Sequence, residues 1–245
     1  MSWREMMTDK ARGFMAANAM ECPYDEVDLT GLEFDDHGWF SDENEESLKA
    51  IIETIGEDAL PGSPPGKLRG VIELGSWLGK STRFFAERAE YVIAVDHWSG
   101  SAEHHDQNRT DTWPRLPRLF PQFLFNMIAT GHKNVVPVRM DTWEAHCSLR
   151  FPGDVDLVYV DASHNYDAVW QDVFDWRDVL SPRGFICGDD YTLPDVQRAV
   201  DDVARQLLMR VFAKGPFWVL VPDVAGRMEA TRPFQAIVDL KESQL

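Results

Sequence analysis

VIELGSWLGKST, residues 71–82, together with YVIAVD at 91–96, decides the fold. An apolar run closes on a glycine-bearing turn, the amphipathic stretch STRFFAERA follows, and a second apolar run ends in an acid. Runs of that length and order read as strand, turn, helix and strand. Gly75 and Gly79 fall where the first strand, LRGVIEL (68–74), turns into the helix. Glycine lets the backbone approach a ligand closely there, and the N–H groups of a helix start favour a negative or polar partner.

The same alternation continues outward. PRLFPQFLFNMIATG reads as a helix interrupted by Pro121, NVVPVRM as a strand, and the residues after Asp141 as a short helix. VDLVYVD (155–161) is the most strand-like run in the chain. After it come the helical YDAVWQDVFDWRDVL, the strand GFICGDD and the helix PDVQRAVDDVARQLL. MRVFA and FWVLVPD flank Lys214-Gly215-Pro216 closely enough to pair as a hairpin. Five strand–helix units and a hairpin predict an α/β fold: a doubly wound seven-stranded sheet, mostly parallel, with a C-terminal antiparallel hairpin. Its ligand belongs at the carboxyl ends of the central strands.

The 245 residues carry 41 acids and 24 bases, a net charge of −17 with histidine neutral. That excess argues against nucleic acid as a partner and disfavours an anionic membrane surface. Residues 1–60 hold 16 of the acids and four bases, a net −12, and from Asp25 to Glu46 ten acids occur without a base. This segment reads as an acidic, partly helical arm, with SDENEESLKAIIETI starting a helix capped by Ser41 and placing Leu48, Ile51, Ile52 and Ile55 on one stripe. PGSPPG (61–66) breaks it from a domain over 67–245. Trp3, Phe14, Tyr24, Phe34, Trp39 and Phe40 are more aromatics than a free tail needs. They predict packing on the domain, a subunit contact in a homo-oligomer, or a lid over the site. No apolar stretch is long enough to span a membrane and the start lacks the apolar core of a secretory signal, so the cytoplasm is the expected compartment. Cys22, Cys147 and Cys187 fit neither a disulfide framework nor a zinc site and read as buried thiols.

Three ligand classes use such a turn. GSWLGKST has three residues between its glycines where a phosphate-wrapping loop needs four, although Lys80 and Ser81 keep that alternative open. A dinucleotide fingerprint is broken by Ser76 and Lys80 at two glycine positions. A sulfonium nucleoside suits the site better, because Glu73 at the strand end would repel a pyrophosphate and attract a cation. Asp96, 23 residues on, stands where an acid accepts bonds from ribose hydroxyls.

With VIELGSWLGKST, VIAVDHW, VVPVRMDTWEA, VDLVYVDASHNYDAVWQDV and LSPRGFICGDDY in order over 68–191, the chain resembles class I S-adenosylmethionine-dependent methyltransferases. It is most similar to the branch of small-molecule and sugar O-methyltransferases. The resemblance implies that Glu73, Gly75, Ser76, Gly79 and Ser81 surround the methionine portion of the cofactor. It places Asp96 at the ribose, and His97, Asp141 and Thr142 on the adenine side. The family's SPGG turn reads Ser181-Pro182-Arg183-Gly184 here.

Asp161 ends the fourth strand and Asp189 and Asp190 end the fifth, side by side in such a sheet. Three carboxylates at one pocket mouth repel one another unless a cation joins them, and hard oxygens without cysteine favour Mg²⁺, Mn²⁺ or Ca²⁺. Metal-dependent O-methyltransferases resemble this arrangement, with Mg²⁺ lowering the pKa of an acceptor hydroxyl. Without an ion, Asp161 would cap its loop and Asp189-Asp190 would be a solvated turn. Asp161 or His164, three residues on, could take the acceptor proton, or His164 could cap its own loop. His104 and His105, in the polar loop SGSAEHHDQNRTDTW, read as solvent-exposed within a segment that covers the site. Trp77 and Trp98 either stack on the ligand or fill the sheet's edge.

The expected function is methyl transfer from S-adenosylmethionine to a hydroxyl of a small-molecule acceptor, with divalent metal assistance. The alternatives are a metal-independent N- or O-methyltransferase with His164 as base, and a cofactor-binding protein of the same fold without turnover.

Overall fold

Strands covered on both faces are apolar throughout, and the central ones here follow that rule. In β1 (Leu68–Leu74) every residue except Arg69 is buried, and in β4 (Val155–Val160) all are. The computed structural model describes residues 2–57, 67–222 and 241–242. β1, β2 (Ala89–Asp96), β3 (Val135–Arg139), β4 and β5 (Leu180–Gly188) run parallel, and β6 (Met209–Lys214) and β7 (Phe217–Pro222) form the antiparallel hairpin. Their order is β3-β2-β1-β4-β5-β7-β6, with a two-residue strand β8 (Lys241–Glu242) added antiparallel to β6. Two residues carry no readable alternation, which is why the sequence predicts seven strands.

Nine α-helices surround the sheet among the described residues. In the N-terminal segment these are α1 (Trp3–Met6), α2 (Asp9–Ala17), α3 (Pro23–Glu26) and α4 (Asp42–Glu57). α5 (Lys80–Arg88), α6 (Leu119–Ala129), α7 (Thr142–Ser148), α8 (Tyr166–Trp176) and α9 (Pro194–Leu207) follow the strands in turn. Strand alternation sorts them to two faces. Tyr159 of β4 packs on Phe85 of α5, with ring centroids 5.2 Å apart, and accepts a bond from Asn44 of α4. Its neighbour Val160 lines a small cleft on the other face with Val169 of α8 and Val196 of α9.

Pro121 does not interrupt a helix. α6 starts at Leu119, so Pro121 sits in the first turn, where its missing N–H has no intrahelical partner to lose. Ser41 does cap α4, accepting the Asn44 N–H at 3.1 Å, and Leu48, Ile51 and Ile52 are buried as the stripe predicts. The side chain of Ile55 and the linker 61–66 lie outside the described residues.

The acidic arm is packed onto the sheet. Trp3, Phe14, Tyr24 and Phe40 are buried, while Phe34 and Trp39 are about half exposed. Several of its acids meet basic partners on the domain: Asp35 pairs with Arg115, Asp36 with Arg83 and Glu46 with Lys214. The Tyr24 hydroxyl donates to the Val135 carbonyl of β3. Cys22 and Cys187 are buried as expected, but Cys147, on the short helix α7, is exposed. No helix among the described residues is long and apolar enough to cross a membrane.

Candidate active site

A cavity of about 900 Å³ opens at the carboxyl ends of β1, β2 and β4, the upper end of the range for small-molecule sites. Its floor is the glycine turn. Gly75 has φ +85°, and a Cβ there would overlap the carbonyl of Asp161, so only glycine lets β1 and β4 end this close together. Ser76, Trp77, Lys80 and Ser81 continue the wall. Gly79, also left-handed at φ +86°, faces Met127 and Phe123 of α6 instead, and it serves helix packing rather than the cavity lining.

Asp96 organises this turn. Its Oδ2 accepts the N–H groups of Ser76 and Trp77, each at 3.0 Å, and its Oδ1 accepts that of Trp98 at 2.6 Å. Trp77 and Trp98 have φ +45° and +49°, conformations a bulky residue rarely adopts unless held. Trp98 fills the core rather than the site: its ring packs at 4.8 Å on both Phe120 and Phe123, and its Nε1 donates to the Trp77 carbonyl.

Glu73 is not where the resemblance puts it. On the same face as Asp96 but one residue short of the strand end, it lies under the turn, fully buried and outside the cavity lining, where it accepts the Thr82 hydroxyl. Burial pushes its carboxyl up to about 7, opposed by the hydroxyls of Ser81, Thr82 and Ser76.

On the opposite wall His97, Asp141 and Thr142 line the cavity beside Met140 and an exposed Trp143. Asp141 caps α7 by accepting the Trp143 N–H at 3.0 Å. Asp172 of α8 completes this side, and sequence reasoning missed it. It is 3% exposed, and burial raises its carboxyl to about 7 against a bond from Thr142. A signal existed, since Asp172 is an acid on the apolar stripe formed by Val169, Val173 and Trp176.

Asp161, His164 and Asp190 come together at the ends of β4 and β5, with ligand atoms all within 4.8 Å of one another. His164 Nε2 lies 2.9 Å from Asp190 Oδ2. Burial and the neighbouring Asp189 and Asp190 push the Asp161 carboxyl well above its usual range. Of the expected trio of acids, the structure gathers Asp161 and Asp190 with His164, and Asp189 stands beside this group. Asp190 is left-handed at φ +63°, and Asp189 folds its Oδ1 back onto the Asp190 N–H at 2.7 Å. Asp189 is 8% exposed and borders only a small cleft behind the cluster.

The rim is aromatic. Trp39 of the arm stacks on His104 with the rings 4° from parallel and 5.4 Å apart, and both contact Trp77. His104 is thus partly buried in a 3₁₀ turn, Ala102–His105, rather than solvent-exposed like His105. Gly100, Ser101, His104 and Arg109 of that loop, with Gly38, Trp39 and Phe40 of the arm, cover the cavity.

Residues 72–191 match the model of a family described as "Methyltransferase domain". The chain carries a methyltransferase domain. Solved structures share its fold at low identity. The O-methyltransferase NovP is 12% identical over 73% of this chain and 80% of its own, with a TM-score of 0.51. A putative methyltransferase from Streptococcus mutans, in complex with SAH, is 13% identical over 74% and 98%, with a TM-score of 0.51. A precorrin 8w decarboxylase from Methanobacterium thermoautotrophicum is 19% identical over 77% and 93%, with a TM-score of 0.50. No curated protein matches the chain. The methyltransferase family match spans the glycine turn, Asp96, the α7 cap and the acid–histidine cluster, so every wall of the cavity except the arm lies within it.

Proposed function

We propose that this methyltransferase acts on a hydroxyl oxygen of a small molecule, such as a sugar or natural product, with a divalent cation held by Asp161, His164 and Asp190. The observation that carries this reading is the convergence of those three side chains on the cavity that the glycine turn floors. A buried carboxylate repelled by a second one beside it, with an imidazole alongside, is a donor set that a cation would stabilise. Two oxygens and a nitrogen fit Mn²⁺ as well as Mg²⁺, since imidazole suits the transition ions better. A bound cation would lower the pKa of the acceptor hydroxyl.

The chain's own groups account for the rest. The turn from Gly75 to Ser81 and Asp96 would hold the methyl donor, and Asp141, Thr142 and Asp172 its adenine side. In the transfer, the acceptor oxygen gives up its proton to a carboxylate or imidazole and forms a bond to the methyl carbon as the carbon–sulfur bond breaks. The sulfonium leaves as a neutral thioether. Gly38, Trp39 and Phe40 would act as a lid that excludes water from this step. The acidic arm favours a neutral or cationic acceptor over a phosphorylated one.

One observation favours a second reading. The 2.9 Å pair between His164 and Asp190 is itself an oriented imidazole, which could serve as the base of a metal-independent transfer. Labelled S-adenosylmethionine incubated with a metabolite extract, with Mg²⁺, Mn²⁺ or EDTA, separates the two. Loss of transfer in EDTA, restored by either ion, supports the metal reading; unchanged transfer with no calorimetric heat on ion addition rejects it.

A further inference from the structure

Asn44 is a polar residue on an apolar stripe. It lies four residues before Leu48 and seven before Ile51 on α4, and its side chain is fully buried while Asp42, Glu43 and Glu46 around it are exposed. An amide in that position needs buried partners. Its Nδ2 donates to the Tyr159 hydroxyl at 3.2 Å, and the same side chain hydrogen-bonds the Asp189 carboxylate. Its Oδ1 has no partner among the described residues.

From Asp189 the contacts run directly into the site. Asp189 Oδ1 accepts the Asp190 N–H, Asp190 is held left-handed, and its Oδ2 reaches His164. A non-glycine residue at positive φ persists only when its surroundings fix it. Two bonds to the main chain fix part of this loop: the Trp218 side chain donates from Nε1 to the Asp189 carbonyl, and the Tyr191 N–H donates to the Pro216 carbonyl. The direction of the Asp189 carboxylate is a separate matter, and Asn44 is what meets it from the N-terminal segment. α4 is itself seated against the hairpin, where a Cβ on Gly215 would overlap the Glu43 carboxylate.

We propose that Asn44 is a positioning residue: by holding the Asp189 carboxylate against the Asp190 N–H, it aims Asp190 at His164 and makes the arm part of the site. The functional consequence rests on the reading that this cluster activates the acceptor. The positional consequence does not.

The test uses the full chain with histidine isotopically labelled and the His164 ring signals identified by their loss in His164→Gln. Asp190→Asn gives the signal of a broken pair. Asn44→Ala should move the His164 signal toward that of Asp190→Asn and lower methyl transfer roughly 10-fold, as loss of an outer-sphere orienting group does. S-adenosylhomocysteine binding should stay as in the parent protein, and Glu46→Ala, an exposed change on the same helix, should leave the spectrum unmoved. If Asn44→Ala binds S-adenosylhomocysteine normally and leaves the His164 signal in place, the inference is wrong. Should that variant lose binding through misfolding, Asn44→Ser, which keeps one donor, takes its place under the same criterion. Full methyl transfer by Asp190→Asn would sink the acceptor-activation reading while leaving the positioning of His164 to be decided by the spectrum.

Discussion

Gly75 lies against Asp161 so closely that a Cβ on the glycine would overlap the Asp161 carbonyl oxygen. That contact joins the turn after β1 to the end of β4, where the Asp161 N–H donates to Leu74 at 2.8 Å. The floor of the cavity and the acid–histidine cluster are therefore one rigid piece. Gly75→Ala would force the strand ends apart and place alanine at φ +85°. The expected cost is about 3 kcal/mol, combining overpacking with the left-handed backbone. Urea unfolding of the variant checks it. A change within a few tenths of a kcal/mol would show that the two strand ends move independently.

Glu73 gives a pH dependence whose sign can be worked out. Burial raises its carboxyl from an ordinary 4.5 to about 7, so between those values the native state binds more protons than the unfolded chain. Stability then falls as pH rises through that window, by up to about 1.4 kcal/mol per pH unit for one such group. Asp172, also raised to about 7, adds to the fall in the same direction. Glu73→Gln should flatten part of the slope and be more stable than the parent chain above pH 7. Asp172→Asn in addition should flatten it further, leaving the contribution of Asp161, whose carboxyl is also raised by burial. Urea midpoints at pH 5 and pH 8 measure both, and a slope unaltered by Glu73→Gln would contradict the assignment.

Asp96 ties three backbone N–H groups, two of them on tryptophans in left-handed conformations. Asparagine has one oxygen for these three donors, so Asp96→Asn leaves at least one N–H facing an amide NH₂. A lost bond to a charged acceptor costs about 1.5–3 kcal/mol. With the methyl donor held by this turn as proposed, S-adenosylhomocysteine affinity should fall at least ~10-fold, the equivalent of 1.4 kcal/mol. Calorimetry and thermal melting together decide the point. Normal affinity in a destabilised variant would limit Asp96 to holding the turn.

The sheet was legible because its strands are short apolar runs whose ends coincide with acids and glycines. LRGVIEL matches β1 residue for residue, and VDLVYVD overruns β4 only by its final Asp161. What sequence could not supply was direction. Glu73 and Asp96 lie on one face of the sheet, yet Glu73, level with Ala94, is roofed by the turn, while Asp96, one residue beyond the Leu74–Val95 pair, reaches the cavity. Asp189 and Asp190 are neighbours, yet a left-handed backbone at the second gives them different partners. His104 looked exposed because nothing local shows that Trp39, 65 residues earlier, stacks on it. Asp172 and Asn44 were readable in principle as polar residues on apolar stripes, a pattern that marks a buried group with a partner to find.

Trp39 offers the sharpest separation of acceptor from donor. It belongs to the arm, is 49% exposed, stacks on His104 of the rim and touches the turn at the Trp77 ring. Half-exposed as it is, its removal should cost little stability, about 1 kcal/mol from the lost ring contacts. An acceptor seated against this rim would lose both contact area and its shield from water. Trp39→Ala should therefore raise the acceptor KM by roughly 10-fold, equivalent to the 1.4 kcal/mol expected for a ring platform. The KM for S-adenosylmethionine should rise much less, because Trp39 reaches the proposed donor turn at the Trp77 ring. Steady-state kinetics with an acceptor found in the labelled-methyl screen measures both constants. Equal rises in the two would place the arm over the donor and remove it from acceptor selection.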